Sequence, residues 1–170
     1  MSIRLPINLK HWIEENNHLL KPPIGNKIVY ENNDFMVMIV GGPNSRKDYH
    51  VDPIEEFFYQ IRGDMLLKII DNGQIVDIPI KEGEIFLLPK NIPHSPQRYK
   101  NTVGLVIEYK REDGLLDTFQ WYCDKCNKIL HEVSLELDDI VTQLPPLFQS
   151  YWDSIDARTC ESCGTVQQQP

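Results

Sequence analysis

The chain has 170 residues, of which 41% are hydrophobic and 25% charged, and a formal net charge of −8. That is the profile of an ordinary folded domain with one good core and a small appendage. The acid excess excludes nucleic acid and anionic membrane as expected partners, because both select basic surfaces. No apolar run reaches the roughly 20 residues that cross a bilayer and the amino terminus lacks a signal-peptide core, so the expectation is a soluble cytoplasmic protein.

Residues 1–7 read as extended. Asn8 is placed to cap a helix over 9–20, whose Leu9, Trp12, Ile13 and Leu20 share a face; Lys21-Pro22-Pro23 ends it. This helix is expected to lie as a lid on a sheet. Strands follow over 27–30 and 35–40 around an Asn32-Asn33-Asp34 turn, before Gly41-Gly42-Pro43-Asn44 breaks the pattern. Residues 57–61 and 65–70 read as strands joined at Arg62-Gly63-Asp64, and Asp71-Asn72-Gly73 leads into a third over 74–80, giving antiparallel hairpins. Lys81-Glu82-Gly83-Glu84 turns the chain into an apolar strand over 85–88 that delivers Pro89 and His94. Residues 103–109 form another strand with Glu108 near its end, and Gly114 to Phe119 reads as a link. Further on, 131–137 suits a strand and 145–155 a short helix with Phe148, Tyr151 and Trp152 turned inward. The tail from Gln167 to Gln169 is expected to be disordered.

Two stretches carry chemistry. His50 and Glu56 lie close together and His94 arrives much later, so they meet only if their segments pair in space; together they are the ligand set of a two-His-one-carboxylate iron(II) site. A small closed barrel would bring them to its mouth. Spacing alone is weak, since Glu near His is common on surfaces. The second stretch is stronger. Cys123-Asp-Lys-Cys126 and Cys160-Glu-Ser-Cys163-Gly164 are paired knuckles that supply four thiolates in a tetrahedron, for iron or zinc. Confinement of all the cysteines to these pairs argues for a reducing compartment and against a disulfide scaffold. The expected job is structural: closing a long loop and fixing the tail.

The pattern His50-x-Asp52-x3-Glu56-x6-Gly63, followed by Gly83-x5-Pro89-x4-His94, resembles the two cupin motifs. It departs at Asp52, where a second His is usual, at Asn91, where a Gly is usual, and at Arg98, where an Asn is usual. Motif spacing selects Glu56 over Glu55, and strand alternation puts only one of them inside. Asp52 reads as a supporting or solvated acid. Gly41-Gly-Pro-Asn-x-Arg46-x-Asp48-Tyr-His50, Glu55-Glu56-Phe-Phe-Tyr-Gln60, Phe86-Leu-Leu-Pro89, His94-Ser-Pro-Gln-Arg98, Trp121-Tyr-Cys123 and Leu144-Pro-Pro-Leu-Phe148 together resemble the 3-hydroxyanthranilate 3,4-dioxygenase family over most of the chain.

The resemblance implies a mainly β fold: a small cupin jelly-roll barrel with an N-terminal helix over 1–115, and a rubredoxin-like four-cysteine module over 116–170 packed on it. It implies ring cleavage of 3-hydroxyanthranilate by dioxygen, with Fe2+ on His50, Glu56 and His94 and a second iron or zinc on Cys123, Cys126, Cys160 and Cys163. Arg98 would pair with the substrate carboxylate, as suits a permanent, planar cation. Glu108 would contact the ring substituents, Arg46 would stand near dioxygen, and Asp48 would be an acid beside the ligands. Without the resemblance Arg46 and Arg98 read as surface arginines, whereas a buried Glu108 needs a partner such as Arg98. A homodimer is expected. The competing expectations are a non-catalytic cupin or metal sensor binding a small aromatic acid, a zinc-ribbon interaction protein, and another ring-cleaving or thiol dioxygenase.

Overall fold

Strict alternation of side chains builds two antiparallel sheets whose inner faces meet. The protein is described here by a computed structural model covering residues 5–22, 25–30 and 34–170. In chain order its strands are β1 (Asn26–Tyr30), β2 (Phe35–Gly41), β3 (Asp48–Val51), β4 (Glu56–Arg62), β5 (Met65–Asp71), β6 (Gln74–Ile80), β7 (Ile85–Leu88), β8 (His94–Arg98), β9 (Val103–Tyr109), β10 (Asp117–Tyr122) and β11 (Ile129–Leu135). One sheet runs β1-β2-β9-β4-β7 and the other β11-β10-β3-β8-β5-β6. Met38, Phe58, Met65, Leu67, Ile80, Leu88 and Val106 fill the space between them. The expected mainly β, jelly-roll type of barrel is what the strands form, with few short helices.

Several local expectations change. Helix α1 spans Leu9–Asn16, shorter than expected; the Asn8 side chain accepts from the His11 amide as its cap. Its Ile13 packs with Leu20, Ile39 and Val103, and Ile39 alternates with the core residue Met38. The helix therefore lies on the outer face of the five-stranded sheet, packed on a sheet as expected. Pro23 and the turn at Asn32-Asn33 lie outside the described residues. β4 and β5 do not form the expected hairpin: β4 pairs with β7 and β9 in one sheet, β5 with β6 and β8 in the other. The Arg62-Gly63-Asp64 turn is a crossing between sheets. β5 and β6 are a true hairpin, with Asn72 (φ 49) and Gly73 (φ 74) at its tip, the two left-handed positions such a turn requires.

The stretch from Gly114 to Phe119, read as a link, runs into strand β10 from Asp117 onward. β10 adds to β3 on one side and β11 on the other, so the Cys-bearing region shares a sheet with the barrel. Helix α2 (Ile140–Asp153) starts one turn and more before Pro145, after Asp139, whose carboxylate accepts from Thr142; helix α3 (Ile155–Arg158) follows. Phe119, Trp121, Leu137 and Tyr151 form the core of this part.

Of the tail expected to be disordered, Gln167 is buried and Gln168 and Gln169 are exposed. Gln167 is 1% exposed, accepts from the Tyr151 hydroxyl (2.7 Å) and donates to the Tyr122 carbonyl (2.8 Å). A polar side chain at the end of a sequence gives no pattern by which its burial can be read. Gln167→Ala leaves both partners unsatisfied, and we expect a loss of about 1–3 kcal/mol. For a chain of this size that is roughly 2–4 °C of Tm per kcal/mol by calorimetry; an unchanged Tm would mean the tail does not hold.

Candidate active site

Two-residue periodicity aims the site residues into one cavity. On β4 the inward positions are Glu56, Phe58 and Gln60; on β9 they are Glu108, Val106 and Gly104, directly opposite in register. On β8 they are His94, Pro96 and Arg98, and His50 of β3 pairs with His94 across the other sheet. The carboxylate thus comes from one sheet and both imidazoles from the other. Glu56 is buried while Glu55 is exposed, as the motif spacing requires.

His94 Nε2 lies 2.9 Å from Glu56 Oε1, and His50 Nδ1 lies 3.7 Å from the same oxygen. Burial alone would raise the Glu56 carboxyl, but the charge and hydrogen bond of His94, with His50 and Arg111 behind them, hold it down to about 2. Burial likewise opposes the charge on His94, and Glu56 overrides it, so that imidazole is raised. His94 Nδ1 is 3.0 Å from the Ile92 carbonyl, which fixes the ring with Nε2 facing Glu56. One donor atom from each of His50, Glu56 and His94 fits within 4.8 Å of the others. Two imidazoles and one carboxylate on one wall suit iron(II), and binding a divalent ion there requires His94 in its neutral form.

Arg98 is 4% exposed and donates through Nη1 to Gln60 Oε1 (3.2 Å). Burial lowers its pKa to about 10, so it remains a cation at neutral pH. Space for it depends on Gly104, where a Cβ would stand 2.5 Å from Nη1. A buried guanidinium with one side-chain partner among the described residues, lining a cavity, has the charge and geometry to receive an anion. The bland alternative, a surface arginine, does not describe it. Arg46 is also drawn in: its guanidinium pairs with Asp48 and lies 5.8 Å from the centre of the Phe148 ring, while Gln97 holds its backbone on both sides.

Glu108 is 5% exposed, and its partner is Arg111, not Arg98: Arg111 Nη1 donates to Glu108 Oε1 at 3.0 Å. Burial and the Glu56 carboxylate nevertheless push Glu108 up to about 8. Arg111 shares its charge among Glu108, Asp52 and Asp117: burial still raises Glu108 and Asp52, whereas hydrogen bonds from His50 and Arg111 overcome burial at Asp117 and lower it. Asp52, a solvated or supporting acid from sequence, is 2% exposed and bound to Arg111. Sequence reasoning misses Gln60, Arg111 and Asp117; Arg111 follows a strand end in a charged run, where nothing in the local pattern marks a buried cation.

The cavity these groups line measures about 170 Å³, and Met36, Met38, Val40, Phe119, Leu137, Ile140 and Leu144 supply its apolar walls. An apolar cavity of about 150 Å³ holds a benzene ring, so a single substituted ring is the right size of occupant. Leu137, Ile140 and Leu144 come from the part of the chain that bears the cysteines, which therefore shapes the pocket.

At the second cluster, Cys123 Sγ and Cys163 Sγ are 3.5 Å apart, as are Cys126 Sγ and Cys160 Sγ. Four sulfurs at about 2.3 Å from one ion would stand about 3.8 Å apart, so the set fits a tetrahedral thiolate metal. The two knuckles repeat each other: the Asn127 amide donates to the Cys123 carbonyl and the Gly164 amide to that of Cys160, and both donors have positive φ, 57 and 70.

A family model described as 3-hydroxyanthranilic acid dioxygenase matches residues 1–152. Over 160 residues the chain is 57% identical to the 3-hydroxyanthranilate 3,4-dioxygenase of Jannaschia sp. (strain CCS1), covering 94% of this chain and 89% of that one. The protein of the same name from Shewanella woodyi is 52% identical over 167 residues, covering 98% and 88%. A solved structure from Neisseria meningitidis superposes with a TM-score of 0.51 at 21% identity, over 62% of this chain and 100% of that one, a likeness of fold alone. The family match spans both imidazoles, Glu56, Arg46, Arg98 and the first cysteine pair, and on that footing the chain belongs to the 3-hydroxyanthranilic acid dioxygenase family.

Proposed function

We propose that the chain is an iron(II)-dependent extradiol dioxygenase that cleaves 3-hydroxyanthranilate with dioxygen. Both oxygen atoms enter the product, 2-amino-3-carboxymuconate semialdehyde, which cyclises to quinolinate for NAD biosynthesis on the kynurenine route. The observation that carries this reading is the convergence of His50, Glu56 and His94 beside buried Arg98 in a cavity sized for one ring.

Iron(II) held by the three ligands would bring an aminophenol and dioxygen together at one centre, replacing a bimolecular encounter by a local one. The chain's own residues do the rest. Arg98 binds the substrate carboxylate and sets which ring edge meets the metal. Glu108 accepts from the ring substituents, and the apolar walls exclude water. Arg46, braced by Asp48 and Gln97, stands at the dioxygen side of the ligands, and Asp48 stays off the metal.

Oxygen-electrode and absorbance measurements on iron-loaded protein test the reading. We expect one dioxygen consumed per 3-hydroxyanthranilate and a semialdehyde absorbance that decays to quinolinate. Binding without uptake would favour the non-catalytic cupin, and uptake without the semialdehyde another dioxygenase.

The cysteine cluster holds iron or zinc in a structural role in this reading, with 116–170 as a module clamped to a barrel over 1–115. We expect Cys123→Ser to lose one metal per chain by elemental analysis, and the folded fraction to turn over within about threefold of the parent, given that no cysteine lines the cavity. Loss of turnover in folded protein would give the cluster a part in catalysis. The protein is further read as cytoplasmic, consistent with the lack of a membrane-spanning helix among the described residues, and as a homodimer. Exposed Tyr59, Ile85 and Leu87 on the outer face of the five-stranded sheet support a partner copy.

A further inference from the structure

We propose that Arg111 is a positioning residue whose three arms fix Glu108 against the substrate cavity and Asp117 against His50, joining the substrate side of the site to its metal side. The inference rests on the ring-cleavage reading above for its substrate and on geometry for the rest.

Arg111 Nε donates to Asp117 Oδ2 at 2.6 Å, Nη1 to Glu108 Oε1 at 3.0 Å and Nη2 to Asp52 Oδ2 at 2.9 Å. The three acids are 0–5% exposed and Arg111 only 13%. Asp117 and Asp52 each make a second contact, and Glu108 keeps an oxygen beside the cavity. Asp117 Oδ1 lies 2.6 Å from His50 Nε2, so a proton on Nε2 leaves Nδ1, the nitrogen that faces Glu56, free to bind a metal. The His50 ring is also stacked on Phe119, 4.9 Å between centres, and cannot turn without breaking both contacts. Glu108 uses only Oε1 on Arg111 among the described residues, leaving Oε2 for a ligand in the cavity it lines. Asp52 Oδ1 accepts from the Ile54 amide and so ties the loop that leads into Glu56.

A planar fork satisfies three acids at fixed angles; an ammonium is a point charge and cannot. Arg111→Lys keeps the charge and removes that geometry. Loss of such outer partners typically costs 10- to 100-fold in metal affinity or activity. We therefore expect Arg111→Lys to be folded by circular dichroism, to weaken anaerobic iron(II) binding at the His50 site roughly tenfold by calorimetric titration, and to lower kcat roughly 10- to 100-fold. KM should change by less than about fivefold, because the Arg98 anchor is untouched.

If Arg111→Lys does not fold, the near-isosteric Asp117→Asn and Glu108→Gln separate the limbs. The first should weaken iron(II) binding, and the second should lower kcat with iron(II) affinity retained. Unchanged iron(II) affinity or unchanged kcat in the folded lysine variant overturns the proposal while leaving ring cleavage standing. If the unaltered protein fails to turn over 3-hydroxyanthranilate, the function falls, and a tenfold weaker iron(II) affinity in the variant still upholds the Asp117 limb.

Discussion

His94→Ala is expected to lose both the catalytic iron and turnover. The imidazole is fully enclosed, 1% exposed, with Nδ1 fixed by the Ile92 carbonyl and Nε2 facing Glu56. Its removal leaves one imidazole and one carboxylate, a set that iron(II) shares with many surface pairs. It also strips Glu56 of the partner that most strongly keeps it ionised, so the remaining carboxylate becomes a poorer ligand. The metal's share of barrier lowering is several kcal/mol, so the rate should fall by about 10³-fold or more. Metal analysis should find iron lost from this site while the cysteine cluster keeps its own. Activity near that of the parent would refute the triad.

Arg98→Ala should separate substrate binding from metal binding. Truncating one partner of a buried, hydrogen-bonded charge pair costs about 2–5 kcal/mol, which corresponds to roughly 30- to 4000-fold in the apparent binding constant. Iron content should be unchanged, because Arg98 touches Gln60 and not the ligands. The substrate carboxylate would enter a site whose remaining cations, Arg46 and Arg111, are already paired with acids, so part of the loss should also fall on kcat through misorientation. Anaerobic substrate titration followed by stopped-flow oxygen mixing gives both values. A binding constant within about threefold of the parent would remove Arg98 from the substrate site.

What the sequence disclosed follows from which signals are local. The inward acid was legible because Glu55 and Glu56 differ by one position and a strand admits one of them inside. The cysteine cluster was legible because each knuckle closes on itself within five residues. Strand positions of β1, β2, β4 to β7 and β9 were readable within a residue or two from their apolar runs, whereas β3 and β8, which carry the two histidines in mostly polar segments, were not read as strands. Pairing was not: nothing in Phe57 to Ile70 tells a hairpin from a crossing between sheets, since both have a Gly-containing turn between two apolar strands. Asp117 and Arg111 escaped notice because a buried ion network is made of polar residues in an apparently polar linker, and only the fold brings Asp52, Glu108 and Asp117 to one guanidinium. The extent of α2 was hidden by Pro145 and Pro146, which suggest a start where the helix has already turned more than once.

Several acids lie close enough to offer competing sites. His50, Asp52 and Asp117 form one alternative donor group, and Asp52, Glu56 and Glu108 another. Arg111 weighs against both, because it already occupies Asp52, Glu108 and Asp117 and would repel a dication placed among them. Anomalous diffraction at the iron edge, from crystals grown anaerobically with iron(II) and 3-hydroxyanthranilate, decides directly. The account predicts an iron peak bound by His50, Glu56 and His94, with the substrate's carboxylate on Arg98; a peak among the acids around Arg111, or substrate remote from the metal, would contradict it.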